Sequence, residues 1–278
     1  MAKNQRFDTP ESLLSEKLDD GDYTTNAFAH FDNYGTAIES LAGLAEEEDW
    51  SFGSGDGRQQ FEFGVLSSYL KSTYRRVAQE SKVLFSPEGG FACFDTGLLS
   101  RDQLEPLYAL FVPNSHPAAT SFWKFQTFFR QGEHHIQRFD GTPEKASYWD
   151  SPSQLVYDAR RELVVNKEHI VQSNKGRFPA PFDSWDDFVL QNYLDGCIGA
   201  SVESVRRNYR LAIPQYFFPS GTIQLLLPLY LSERGVADLA LVVDDYQTIY
   251  RASTCLTLDM AYSNARLLAR LEKNWLNP

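Results

Sequence analysis

Residues 214–258 read PQYFFPSGTIQLLLPLYLSERGVADLALVVDDYQTIYRASTCLTL, and this stretch decides the fold. Pro214–Phe218 is an apolar and aromatic run that stops at Pro219-Ser220-Gly221. That tripeptide is a turn signal in which Gly221 supplies backbone freedom, and Ile223–Leu231 returns as a second apolar run. Ala237–Val243 reads as a third strand and Ile249–Leu258 as a fourth. Strands joined by turns in direct succession pair as an antiparallel meander.

Helices flank this meander. A final helix is expected from Asp259 or Met260 to Lys273, and a long one over Trp185–Tyr209, opened by the capping residues Asp183 and Ser184. Gly196 and Gly199 sit in the middle of the latter, where they weaken it or permit close packing. Further toward the amino terminus, Glu162–Asn166 is strand-like and 170–181 reads as a loop. Asp150-Ser151-Pro152 opens a short helix, and 121–129 and Tyr108–Val112 read as strands. Phe85 and Phe91–Phe94 flank a turn at residues 86–90. Residues 61–80 and 35–48 carry helical spacing, Thr9-Pro10 starts a short helix over 11–18, and 51–57 is a glycine-rich loop. Regular βα alternation is not traceable, nor is an internal repeat. The fold class is therefore α+β, with a mixed or largely antiparallel sheet and flanking helices.

Charge divides the chain. The formal net charge is -11, and residues 1–62 hold 14 acidic against four basic side chains, so almost all of the excess lies there. This predicts an acidic amino-terminal extension or subdomain over 1–60 and a main domain over 61–278. Such a balance excludes indiscriminate binding to a phosphate backbone, which needs many lysine and arginine contacts. It leaves room for a local arginine pocket and for a basic protein partner of the acidic segment.

Cys93, Cys197 and Cys255 are scattered and predict reduced, buried thiols in a cytoplasmic protein. No secretory leader and no apolar run of about 18 residues is visible, so no membrane partner is expected. The five histidines include no pair at metal-ligand spacing, and neither a metal nor a cofactor is expected.

The strongest polar cluster is Val205-Arg206-Arg207-Asn208-Tyr209-Arg210. Arg206 and Arg210, four apart, share a helix face and repel unless something negative lies between them. That partner is either a carboxylate of the chain or a ligand phosphate, which the planar guanidinium fork grips with two hydrogen bonds. Gln215 and Tyr216 follow, and Gln224 stands in an apolar strand where its amide requires a partner. Asp259, Tyr262, Asn264 and Arg266 make the start of the last helix polar. His169 follows a strand and leads into Arg177-Phe178-Pro179, the type of residue that moves protons near neutral pH.

Four segments carry a resemblance. They are Phe94-Asp95-Thr96-Gly97-Leu98 with Tyr108–Phe111, Asp158–Ile170 with Arg177-Phe178-Pro179, Val205–Tyr216 with Ile223–Leu231, and Asp238–Val243 with Leu256–Leu267. Together they resemble a family of uncharacterised domains associated with OST-HTH modules in RNA-related proteins, over roughly residues 60–277. Positions 94–97 read Phe-Asp-Thr-Gly where that resemblance leads one to expect Phe-Asn-Thr-Gly. No winged-helix module is recognisable beside the domain, so the resemblance implies an RNA connection through domain company alone.

The leading expectation is an RNA- or nucleotide-binding domain. Arg206, Arg207 and Arg210 would hold phosphate, Tyr209 and Tyr216 would stack on a base, and Asn208, Gln224 or Asn264 would read an edge. One alternative is a phosphodiester- or nucleotide-processing enzyme with His169 as acid or base. The other is a protein-interaction module acting through its acidic first quarter.

Overall fold

The computed structural model describes residues 28–50, 63–115, 121–271 and 275–276. The chain divides into two compact units, Met1–Ser147 and Tyr148–Pro278. The expected boundary near residue 60, the glycine-rich loop at 51–57 and the short helix over 11–18 all lie outside the described residues.

The first unit begins with β1 (Ala29–His30), followed by α1 (Tyr34–Leu44) and α2 (Gly64–Gln79). Asn33 caps α1 by accepting the Thr36 N–H at 3.1 Å. In α2, Val65, Leu66, Tyr69, Leu70, Tyr74 and Val77 are buried at the helical spacing that the sequence displays. A meander follows: β2 (Leu84–Phe85), β3 (Ala92–Leu99), β4 (Pro106–Pro113) and β5 (Trp123–Arg130). The sheet order is β1-β5-β4-β3-β2, antiparallel except that β1 lies parallel to β5. The 85–94 hairpin, the strand at 108–112 and the aromatic strand at 121–129 are thus present as β2–β3, β4 and β5.

The second unit starts with a 3-10 turn at Pro152–Leu155, where Ser151 and Gln154 form a capping box. Then come β6 (Glu162–Val165), α3 (Lys167–Asn174), α4 (Asp187–Arg207), β7 (Ile213–Phe217), β8 (Thr222–Leu229), β9 (Leu239–Asp245), β10 (Ile249–Thr257) and α5 (Leu258–Arg266). The sheet order is β6-β10-β9-β8-β7, again antiparallel apart from β6 and β10. Among the described residues, both units therefore share one wiring: a strand, two helices, then a four-strand meander whose last strand returns beside the first. The sequence carries no visible repeat, yet the topology is repeated.

The mixed α+β class and the 214–258 meander hold. Three local readings change. The loop expected over 170–181 begins with residues 170–174 inside α3, because Asn166 caps that helix by accepting the His169 N–H at 3.1 Å. The cap of α4 is Asp186, which accepts from Phe188 and Val189 N–H, so the helix starts two residues later than expected. The last helix ends at Arg266 instead of Lys273.

The core of the second unit lies on one face of its sheet. Leu225, Leu227 and Leu229 of β8 and Leu239, Leu241 and Val243 of β9 pack there with Ile170 and Val171 of α3 and Leu190, Leu194 and Ile198 of α4. Strand side chains alternate faces, so Gln224, Leu226 and Gln215 point to the other side. There α5 sits, since Asn264 bonds Gln215. Among the described residues, no helix is long and apolar enough to cross a membrane.

Candidate nucleic-acid interface

The residues singled out from sequence fall into two groups with opposite environments. The first is an exposed corner. Arg206 and Arg207 end α4, and Asn208 closes it by donating its N–H to the Ser204 carbonyl at 2.9 Å. The Asn208 side chain then accepts the Arg210 N–H at 3.2 Å and opens a 3-10 turn over Tyr209–Leu211. Trp275 ties this turn down by donating its indole N–H to the Leu211 carbonyl at 2.8 Å. Asn208 is thus a hinge cap that fixes the direction of its neighbours.

All of residues 206–210 are exposed, Tyr209 to 61 %. Arg206 meets Glu203 at 2.8 Å and Arg207 meets the other oxygen of the same carboxylate at 2.5 Å. Hydrogen bonds from Arg207 and then Arg206 hold the Glu203 carboxyl below the usual range. One carboxylate cannot neutralise two guanidinium groups, and Arg210 has no side-chain partner among the described residues. The corner remains cationic on a chain of net charge -11. These arginines also sit at the negative end of the α4 dipole, which favours them there.

The second group is buried and mutually satisfied. Gln215, Gln224 and Asp244 are register partners on β7, β8 and β9. Gln215 Nε2 donates to Gln224 Oε1 at 2.8 Å, and Gln224 Nε2 donates to Asp244 Oδ1 at 2.7 Å. Asn264 Nδ2 on α5 donates to Gln215 Oε1 at 3.2 Å. This amide row pins α5 to the sheet across its open face. Gln215 and Gln224 are 1 % and 6 % exposed, so their amides already have partners and face away from solvent. Tyr216 is buried against Tyr148 and Phe218, both ring pairs at 4.9 Å. On α5, Tyr262 and Arg266 lie on the buried side, and Asp259 is half-buried in the first turn.

His169 belongs to neither group. It is exposed in the first turns of α3, with its ring Nδ1 3.3 Å from Ser173 Oγ. No hydrogen bond or ion pair joins it to the arginines. Among the described residues, no group of three His, Cys, Asp or Glu is placed to hold a metal ion.

Beside the corner, a groove of about 850 Å³ runs along α4. Tyr193, Gly196, Ala200, Ser204 and Arg207 form one wall, and Tyr230, Ser232, Glu233 and Arg234 form the other. Gly196 faces open space: a Cβ added there meets nothing within 4 Å. Asp238 braces the opposing loop by accepting from the N–H groups of Leu231 and Ser232 at 2.7 and 2.9 Å. Tyr193 Oη closes one end by donating to the Leu231 carbonyl at 2.6 Å. Glu203, Tyr230 and Arg234 were not foreseen from the sequence. The signal that could have found the groove is Gly196, Ala200 and Ser204, small residues at four-residue spacing on one helical face.

The chain is thus a mixed α+β protein with an arginine-rich corner beside an open groove. It belongs to the family described as "Domain of unknown function (DUF3825)", whose model matches residues 41–275. No curated protein and no solved structure matches the chain.

Proposed function

We propose that this chain binds RNA or a nucleotide at the corner formed by Arg206, Arg207, Asn208, Tyr209 and Arg210. One observation carries the reading. Three arginines flank, in sequence, a tyrosine that is 61 % exposed, and among the described residues a single carboxylate, that of Glu203, pairs with them. Arginine forks suit phosphate oxygens, and an exposed tyrosine offers a face on which a base stacks. Because the corner lies at a helix carboxyl terminus, side chains rather than backbone N–H groups would hold the anion. The resemblance to domains found with OST-HTH modules adds an associational argument. Three free, buried cysteines fit a reducing, cytoplasmic setting.

In this reading Gln215, Gln224 and Asn264 brace the scaffold rather than touch the ligand. Fluorescence anisotropy of the full chain with labelled short RNA and with nucleotides, at low and physiological salt, tests the proposal. Binding that weakens steeply with salt is expected. No binding of either ligand at low salt overturns it.

A further inference from the structure

We infer that the groove beside Arg207 takes an unpaired base, so that the ligand of this corner is a single strand rather than a duplex or a free nucleotide. The inference rests on the reading just given. Within the groove, Glu203 and Glu233 offset Arg207 and Arg234, which leaves the walls balanced in charge. Glu203 is shared between Arg206 and Arg207, so the uncompensated positive charge lies outside the lining, at Arg206 and Arg210. A polynucleotide divides in the same way, into neutral bases and anionic phosphates. A base fits the balanced, partly apolar interior, with the Tyr230 ring on its wall, while the backbone follows the rim.

Size points the same way. From Tyr193 to Arg207 the groove follows α4 for about 21 Å at 1.5 Å per residue, beyond the reach of one nucleotide. A duplex keeps its bases stacked inside and cannot insert one without paying for extrusion. Ser204 and Ser232 also line the walls; their hydroxyls donate to the Ala200 carbonyl and to Asp238, which leaves the hydroxyl oxygens to accept. The absence of a Cβ at Gly196 keeps the middle of the groove open.

The test compares labelled single-stranded RNA, the same sequence as a duplex, single-stranded DNA and a mononucleotide, each by anisotropy on the full chain. Tighter binding of single strands than of duplex or mononucleotide is expected, and the RNA and DNA arms show whether the ribose hydroxyl contributes. Gly196→Leu, which fills the groove, should lower single-strand affinity about tenfold or more while leaving the salt slope unchanged. Gly199→Leu is the control. That residue is exposed on the same helix, an added Cβ there also meets nothing within 4 Å, and it does not line the groove. Duplex binding equal to that of the single strand overturns the inference while the corner's phosphate binding stands. Absence of any nucleic-acid binding overturns the underlying reading instead.

Should Gly196→Leu fail to fold, ultraviolet cross-linking of unaltered protein to single-stranded RNA decides. Cross-links mapping to residues 192–197 or 230–235 support the inference, and cross-links confined to 206–210 overturn it.

Discussion

The Asp95 carboxylate accepts the backbone N–H of Gly97, two residues further along β3, at 2.7 Å. That bond closes a tight bend where the β3–β4 register shifts between Asp95 and Leu99. Asp95 is buried beside Cys93 and Tyr108, and this desolvation pushes its carboxyl up to about 6, against the pull of the Gly97 N–H and of Lys145. The folded state thus prefers the protonated acid more than the unfolded chain does. The stabilisation from this group is fully present below its unfolded value near 4 and is lost as pH rises through about 6.

Asp95→Asn should therefore stabilise the protein at pH 8 by about 1–3 kcal/mol, and the advantage should shrink toward zero below pH 4. Urea melts of both proteins at several pH values measure it. A pH-independent difference would show that the carboxyl does not titrate as its burial requires. Asparagine is also the residue that the family resemblance leads one to expect at this position.

Gly97 has φ +75, and a Cβ placed on it would stand 2.4 Å from Tyr69 Oη. Gly97→Ala should cost about 2–4 kcal/mol, combining left-handed strain with the clash. In a Tyr69→Phe background the nearest remaining ring atom is 3.7 Å away, and the penalty should fall to about 1–2 kcal/mol. A double-mutant cycle by urea denaturation gives the coupling. Zero coupling removes the clash as a cause.

Gln224→Met strands the Gln215 amide in the interior and removes a donor from the half-buried Asp244. A loss of about 2–4 kcal/mol is expected, with RNA affinity of the folded protein unchanged. Leu226→Ala, at a fully buried position on a strand paired on both sides, should cost about 2–5 kcal/mol through the cavity it leaves. If Gln224→Met folds normally and loses RNA instead, the amide row is a reader and not a brace.

Arg207→Ala and Arg210→Ala should behave in the opposite way. Both side chains are exposed, so the urea midpoint should not move, while affinity for single-stranded RNA drops and the salt slope becomes shallower by about one phosphate contact. Early melting with intact binding by the folded fraction would make the arginines structural.

How far the sequence carried this reading depended on range. The hairpins of 214–258 and helix α2 were legible because their signals are local: turn residues between apolar runs, and apolar residues at helical spacing. Helix α3 was missed because its eight residues bury just Ile170, Val171 and Asn174, too few to show a period. The parallel pairs β1–β5 and β6–β10 join distant segments and leave no local mark. Gln224 was flagged as an amide requiring a partner, but Gln215 and Asp244 became its partners only through register, which no single strand displays. Asp95 and Asn264 likewise acquired their roles from burial and from neighbours far along the chain.

The parallel return of β10 onto β6 has a consequence during synthesis. Glu162 pairs with Ile249, 87 residues later, and Val165 with Ala252. At the usual pace of about 5–20 residues per second, β6 leaves the ribosome roughly 4–17 s before β10, its sheet neighbour among the described residues, exists. Through that interval the nascent chain carries an open strand edge, which β10, the last-made strand of the meander, seals.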